Sequence, residues 1–435
     1  MQVEEPLITA PPPGQPSPDG MGGELDAAAT ARGGRHDRLP MWGILASLGV
    51  AVTGNSVTGL AMPFFVYATT DSAAKTGIVS AVGTVPLVLS AFFGSAVIDR
   101  VGHRQMMLLS DSLSMVTVAT IPLLYGMDRL TFPLLLVLVA RGAAFDAPGA
   151  TARETALPDL ATRAGMTLDQ ANGYWGAVFG ASQVVGPPVA GLIIGFASAQ
   201  AALWVNAGTF AVSIAIILTT IPTLAKPART GATYAADLIE GVRFVLREPL
   251  IRATIVLSAA YMFFLTPLYG VVMPIFFDER YSPRAFGFYG GVGAVGSVLG
   301  AFAYGWLAKR YPRRLILLSG LVAFSVELAV ISTIPALWVI LTVAFVAGLA
   351  LGSLNPIFNV AITTRTPAEL RSRAFGAMFA LTFAAAPVGS LVVGPMIGWI
   401  GIHETLMILV VATILCSVGC VAAPVLKLLD EPAAG

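Results

Sequence analysis

Acids and bases are scarce in this chain, and three of them fall where charge is costly. Arg141 and Asp146 stand in "LLLVLVARGAAFDAPGA" and Glu327 stands in "LVAFSVELAV", each inside a long apolar run. A charge at the centre of a bilayer costs at least about 2.5–3.5 kcal/mol, so such residues serve proton carriage, ion pairing or a polar cavity wall. Arg141 and Asp146 are five residues apart, roughly 500° of helical turn. They point about 140° away from each other and are not expected to pair on one helix. Asp146 is expected to face another helix or the inner mouth, and Glu327 to pack in protonated form against a neighbouring helix. A carboxylate that takes up and releases a proton is the chemistry this pattern offers. A fourth place is "GSAVIDRVGHR", where Asp99, Arg100, His103 and Arg104 arrive within six residues of an apolar run. Asp111, just beyond, is the expected partner of Arg100 or Arg104. No nucleophile–base pair or metal-ligand spacing stands out, so no catalytic residue, metal or cofactor is expected. No Gly-x4-Gly-Lys-Ser/Thr pattern occurs, so ATP is not expected to be the direct energy source.

The elements that must hold these residues are legible from composition. Of 435 residues, 56% are hydrophobic and only 11% charged, against roughly 25% charged in a soluble domain. The main solvent of this chain is therefore lipid. A net charge of +1 gives no case for nucleic acid. Cys416 and Cys420, four apart in one apolar run, read as small hydrophobes on one helix face. Apolar runs long enough to cross a bilayer lie near 42–67, 74–98, 105–126, 131–152, 170–197, 201–221, 252–277, 286–308, 314–333, 336–361, 371–398 and 404–426. Runs of this length exclude barrel strands, which leaves an all-α integral membrane protein of twelve transmembrane helices. Bases gather on one side of the turns, among them Arg100, Arg104, Arg153, Arg163, Arg310 and Arg373. The other side holds only Lys75, Arg129, Arg280 and Arg284. The positive-inside rule makes the richer side cytoplasmic, with both termini there.

The chain also repeats itself. "DRVGHR" near position 100 resembles "KRYPRR" near 310. Gly186–Pro187 precede Gly394–Pro395 by 208 residues, as Pro148 precedes Pro356. Two pseudo-symmetric six-helix bundles follow, at 41–221 and 251–428. Residues 222–250 form a polar cytoplasmic linker ending in a short amphipathic helix. Residues 1–40, with seven prolines and no apolar h-region, read as a disordered cytoplasmic tail without a signal peptide, and 429–435 as a short second tail. Two similar bundles around a midplane cavity suit alternating access.

On these residues the chain resembles the major facilitator superfamily, and within it the twelve-helix proton-coupled exporters of the macrolide, siderophore and multidrug branch. The carriers are "DRVGHR", "GASQVVGPPVAG", "FDAPGATARETALPDL" and "LNPIFNVAITTRTPAELRSRAFG". The family's turn motif is matched at Asp99, Arg100, Gly102 and Arg104, while Ser95 stands where Gly is usual and His103 replaces a base. The resemblance implies that Asp99 acts as a conformational latch, received by the helix start at "PAELRSRAFG" with Arg371 or Arg373. Gly180, Gly186, Pro187 and Gly191 resemble the exporter signature of helix five. Arg141 matches the family's helix-four arginine, which faces the central cavity and is linked to proton transfer; the Gly usual five positions later is Asp146 here. Arg141, Asp146 and Glu327 are thus the candidates for proton coupling. Cavity candidates, taken from helices one, four, seven and ten, are Asn55, Thr58, Phe64, Phe145, Tyr261, Phe264, Tyr269, Asn355 and Asn359. The implied function is a secondary active transporter in the inner, cytoplasmic membrane. It would be a monomer whose partners are the bilayer, protons and a small lipophilic or weakly cationic substrate moved outward. An uptake permease for a small metabolite, and a non-transporting sensor or scaffold on the same fold, stay open on sequence alone.

Overall fold

The computed structural model describes residues 37–223, 234–367, 370–422 and 424–430, except for the side chains at 87–100, 234–239, 371–372 and 420–422. Every extended element among them is helical. The first six long rods are α1 (Leu39–Thr70), α2 (Ala73–Val101), α3 (His103–Gly126), α4 (Phe132–Arg163), α5 (Leu168–Phe196) and α6 (Ala199–Thr220). The short helix α7 (Tyr234–Arg247) follows. The next rod is compound: α8 (Pro249–Pro267), a π turn (Leu268–Val272) and α9 (Met273–Arg280). Then come α10 (Pro283–Leu307) and α11 (Arg313–Ser332). Two more compound rods are α12 (Leu337–Leu351) with α13 (Leu354–Arg365), and α14 (Arg371–Phe383) with α15 (Ala385–Ile400). The last is α16 (Ile402–Ala422), with a 3-10 turn at Pro424–Leu429. Eleven of these rods are long and apolar enough to cross a membrane among the described residues. The 29-residue α2 is the twelfth.

The repeat is visible in the helix register. α1 and α8 begin at Leu39 and Pro249, α2 and α10 at Ala73 and Pro283, and α3 and α11 at His103 and Arg313. Each pair is offset by 210 residues. The two halves meet at one end of the bundle, the end opposite most of the bases, through two glycine crossings. A Cβ on Gly287 of α10 would lie 2.8 Å from the Gly191 Cα of α5. One on Gly77 of α2 would lie 3.0 Å from the Gly394 Cα of α15. Gly77 and Gly287 are themselves 210 apart, so the crossings are symmetry mates. Glycine is required here because any side chain would hold the backbones apart. Toward the basic end of these helices, Cβ atoms on Gly173, Gly176 and Gly376 would meet nothing within 4 Å. The halves therefore part toward the basic end.

Local sequence explains the ends and breaks. Thr167 and Gln170 form a capping box at the start of α5, with Gln170 N–H donating to Thr167 Oγ1 at 3.2 Å. Gly102 sits between α2 and α3 at φ 94°, a conformation that favours glycine, which accounts for the glycine of the turn motif. In the π turn, Met273 N–H donates to the Leu268 carbonyl, and Pro274 has no N–H to offer the carbonyl of Gly270. α4 runs eleven residues past the predicted end at 152, because "TARETALPDLATR" keeps a helical pattern and turns only at Gly165, φ 67°. Arg153 is thus no turn residue: it is buried within a helix.

Candidate functional site

The first half encloses a cavity of about 310 Å³ between α1, α2, α3, α4 and α6, closed on one side by Gly270 of the π turn. Most of its wall is apolar: Met62, Val79, Val118, Ile121, Leu138, Val139 and Phe210. The polar groups are few and specific. Asp146 lies on the wall and accepts a 2.8 Å hydrogen bond from Asn55 Nδ2, joining α4 to α1. Asn206 of α6 donates to Thr58 Oγ1 at 2.6 Å, and Thr209 Oγ1 donates to Asn206 Oδ1 at 2.8 Å. Ser114, also on the wall, is buried, and its hydroxyl has no hydrogen-bond partner among the described residues. A carboxylate facing a largely apolar chamber, with hydroxyls and amides beside it, can hold a proton or the cationic end of a lipophilic molecule, but not both with equal ease.

Beside the cavity, on the basic side, lies a buried ion pair. Arg153 donates to Asp111 Oδ1 at 2.7 Å, and Ser213 Oγ donates to Asp111 Oδ2 at 2.7 Å. Side-chain exposures of 3% and 1% keep the pair out of water. This corrects the expected pairing of Asp111 with Arg104. Instead Arg104 caps the end of α6: its Nε donates to the Ile221 carbonyl at 2.6 Å and its Nη2 to that of Leu218 at 3.2 Å. The side chain of Arg100, the other expected partner, lies outside the described residues.

Of the predicted cavity residues, Asn55, Thr58 and Asp146 line the chamber. Phe64 is buried against the Phe286 ring, 5.9 Å between centroids. Phe145 lies under the Arg141 guanidinium at 5.8 Å. Tyr261 meets Phe324 edge-on, and Phe264 meets Phe263 likewise. Tyr269 stacks on Tyr289. Asn355 and Asn359 share an exposed face of α13, clear of the chamber. Arg141 is exposed and also clear of it, and, as expected, it does not pair with Asp146. Glu327 is buried and accepts from the Tyr289 hydroxyl at 2.8 Å. The latch residues Asp99, Arg100 and Arg371 have side chains outside the described residues. Arg373 donates to Glu240 of α7. In helix five, Gly186 abuts Ser56, Pro187 abuts Gly287 and Gly290, and a Cβ on Gly180 would lie 3.6 Å from a Val298 methyl. Sequence reasoning missed Asn206, Ser114 and Ser80 on the wall. Asn206 carried a signal, as a lone amide in "AALWVNAGTFAV".

Comparison with known proteins agrees with this architecture. The sequence model of the Major Facilitator Superfamily matches residues 44–281 and again 268–435. The multidrug efflux pump Tap of Mycolicibacterium fortuitum is 35% identical over 399 residues, covering 90% of this chain and 98% of that one. The multidrug efflux pump Tap of Mycobacterium tuberculosis is 32% identical over 400 residues, covering 91% and 96%. Among solved structures, the nucleoside transporter NupG superimposes with a TM-score of 0.73 at 14% identity, over 89% of this chain and 98% of that one. A bacterial homologue of the lysosomal transporter Spinster, in an inward-facing, unoccupied conformation, gives 0.68 at 15%, over 90% and 98%. At these identities the structural matches speak for the fold alone.

Proposed function

The chain belongs to the major facilitator superfamily, a family of membrane transporters, and from that premise we propose that it exports lipophilic, cationic compounds from the cell in exchange for protons. The observation that carries this reading is Asp146. It is an acid on the wall of a mainly apolar chamber, held by Asn55, with no base hydrogen-bonded to it among the described residues. Substrate cation and proton would compete for this one carboxylate. A proton arriving from outside would displace the drug, and a drug arriving from inside would displace the proton. The 35% identical relative is named a multidrug efflux pump, which supports the outward direction.

The rest of the cycle follows from the same reading. The basic end faces the cytoplasm of the inner membrane, with both termini there, so the halves are closed outside and parted inside. The protein works as a monomer, its two bundles hinged by residues 222–250, and none of its groups does covalent chemistry. Asp99 and the bases at 371 and 373 latch the inner end when it closes. The test is a drug-susceptibility panel in a host stripped of its own pumps, with and without a proton uncoupler. Wild type should raise resistance to lipophilic cations only while the gradient stands, and Asp146→Asn should abolish that gain. Resistance from Asp146→Asn equal to wild type would overturn the reading.

A further inference from the structure

The two halves share one backbone plan, yet only the first encloses the chamber. Shifting three of its lining residues by the 210-residue repeat shows what the second half has put there instead. Gly59, Val79 and Thr117 line the cavity; their counterparts are Tyr269, Tyr289 and Glu327. These three side chains touch. Tyr289 OH lies 2.8 Å from Glu327 Oε1 and 3.4 Å from Tyr269 OH, and the Tyr269 and Tyr289 rings stack at 5.9 Å. Tyr289 is 1% exposed and Glu327 3%. Phe277 and Phe286 pack on the Tyr289 ring from the outer side. Tyr261 faces the cluster from α8, and α12 brings no titratable residue at all. α16 has only His403, Glu404 and two cysteines to offer. Among the described residues, phenols are the titratable groups that face Glu327.

A phenol has one proton and cannot donate to both neighbours. If Glu327 is ionised, Tyr289 donates to it and Tyr269 donates to Tyr289. If Glu327 is protonated, it donates to Tyr289, which then donates to Tyr269. The direction of the chain reverses with one proton, and its far end is in the π turn. Tyr269 is the second residue of that turn, and Gly270, the third, walls the chamber in the other half. A Cβ on Gly270 would stand 2.7 Å from Ser80 Oγ. Ser80 also lines the chamber and lies 3.3 Å from Ser390 Oγ across the interface between the halves. A π turn holds one residue more than an α turn, and such single turns recur at functional sites.

We infer that Glu327, Tyr289 and Tyr269 form a second proton-binding site, the filled counterpart of the drug chamber, whose proton sets the π turn that closes the chamber's wall. The inference rests on the exporter reading for its transport readout, but the proton site itself does not. Glu327 is a positioning residue here, since it acts on the chamber through Tyr269 and Gly270. Two measurements separate the claims. Infrared difference spectra of purified protein, titrated without substrate, should show a carboxyl band that survives Asp146→Asn, shifts in Tyr289→Phe and is lost in Glu327→Gln. In everted vesicles with ethidium as the probe, Tyr289→Phe and Glu327→Gln should bind ethidium within about twofold of wild type, yet lose the pH dependence of its transport. A carboxyl band unaffected by Glu327→Gln, or a wild-type pH profile in Tyr289→Phe, overturns the inference. Wild-type transport by Asp146→Asn overturns the exporter reading alone, because the infrared arm still decides the proton site. If Glu327→Gln does not fold, Tyr289→Phe and wild type carry both measurements.

Discussion

The glycine crossings make a direct prediction about the conformational balance. In Gly287→Ala, the new methyl would sit 2.6 Å from the Pro187 carbonyl oxygen and 2.8 Å from the Gly191 Cα. Both are backbone or backbone-fixed atoms, which no rotamer change can move. To reach ordinary contact, α5 and α10 must part by about 0.8 Å, and overpacking of this kind costs roughly 1–3 kcal/mol. That cost falls only on the state in which the outer end is closed. The population of the outward-open state should therefore rise roughly 5- to 150-fold. A cysteine at Ser80, on the chamber wall, reports it: in a background with Cys416 and Cys420 replaced by serine, an impermeant maleimide added outside cells should label it faster by a comparable factor. Gly77→Ala, in the symmetry-related crossing, should act in the same direction. Gly173→Ala and Gly376→Ala have open space around the new methyl and control for the helix-propensity gain of alanine, about 1 kcal/mol. Labelling in Gly287→Ala no faster than in Gly173→Ala would refute the view that these crossings hold the outer end shut.

Three further outcomes are expected. Breaking the buried pair with Asp111→Asn or Arg153→Ala should cost about 3–5 kcal/mol of stability, read as a fall in Tm in detergent, whereas Asp111→Leu with Arg153→Met should cost less than the two single changes summed. Arg104→Ala should remove about 1.5–3 kcal/mol of charge-assisted capping, with amide exchange speeding first at the end of α6. Asn206→Ala should leave the uncoupler response intact but change the drug spectrum, because it alters the chamber wall without touching Asp146.

The scaffold was legible because its signals are collective. The apolar runs and the repeat each draw on many residues, so single exceptions did not mislead. The failures were at single side chains. Arg153 read as a turn base because the apolar run ends near 152, yet the helix continues and the guanidinium turns inward to Asp111. The aromatic and amide residues chosen for the cavity sit on suitable helices, but helix identity fixes neither face nor depth. Phe64 and Tyr269 point into packed aromatic clusters while Asn355 and Asn359 point outward. The Asn55–Asp146 bond joins residues 91 apart in sequence, and no local pattern announces such a pair. What sequence did pick out was Asn55, Thr58 and Asp146, which line the chamber, and the five residues of helix that keep Asp146 away from Arg141.

Rocking needs two halves with equal pivots, and the glycines of the two crossings recur in both halves, Gly77 with Gly287 and Gly191 with Gly394. Coupling needs the opposite. If both halves held a carboxylate on an open chamber, drug could bind in the second half without displacing a proton from Asp146, and the exchange would leak. Here the first half keeps the open chamber and Asp146, with Gly59, Val79 and Thr117 leaving it room. The second half spends the same three positions on two phenols and an acid that fill the space. The backbone is symmetric at the crossings, and the side chains are unequal at the chamber. Restoring symmetry should therefore uncouple the pump: Tyr269→Gly with Tyr289→Val and Glu327→Thr should open a second chamber, raise the stoichiometry of bound probe toward two, and let the proton gradient dissipate without drug export. A triple variant that binds one probe and stays tightly coupled would show that the filling of the second half has no part in the exchange.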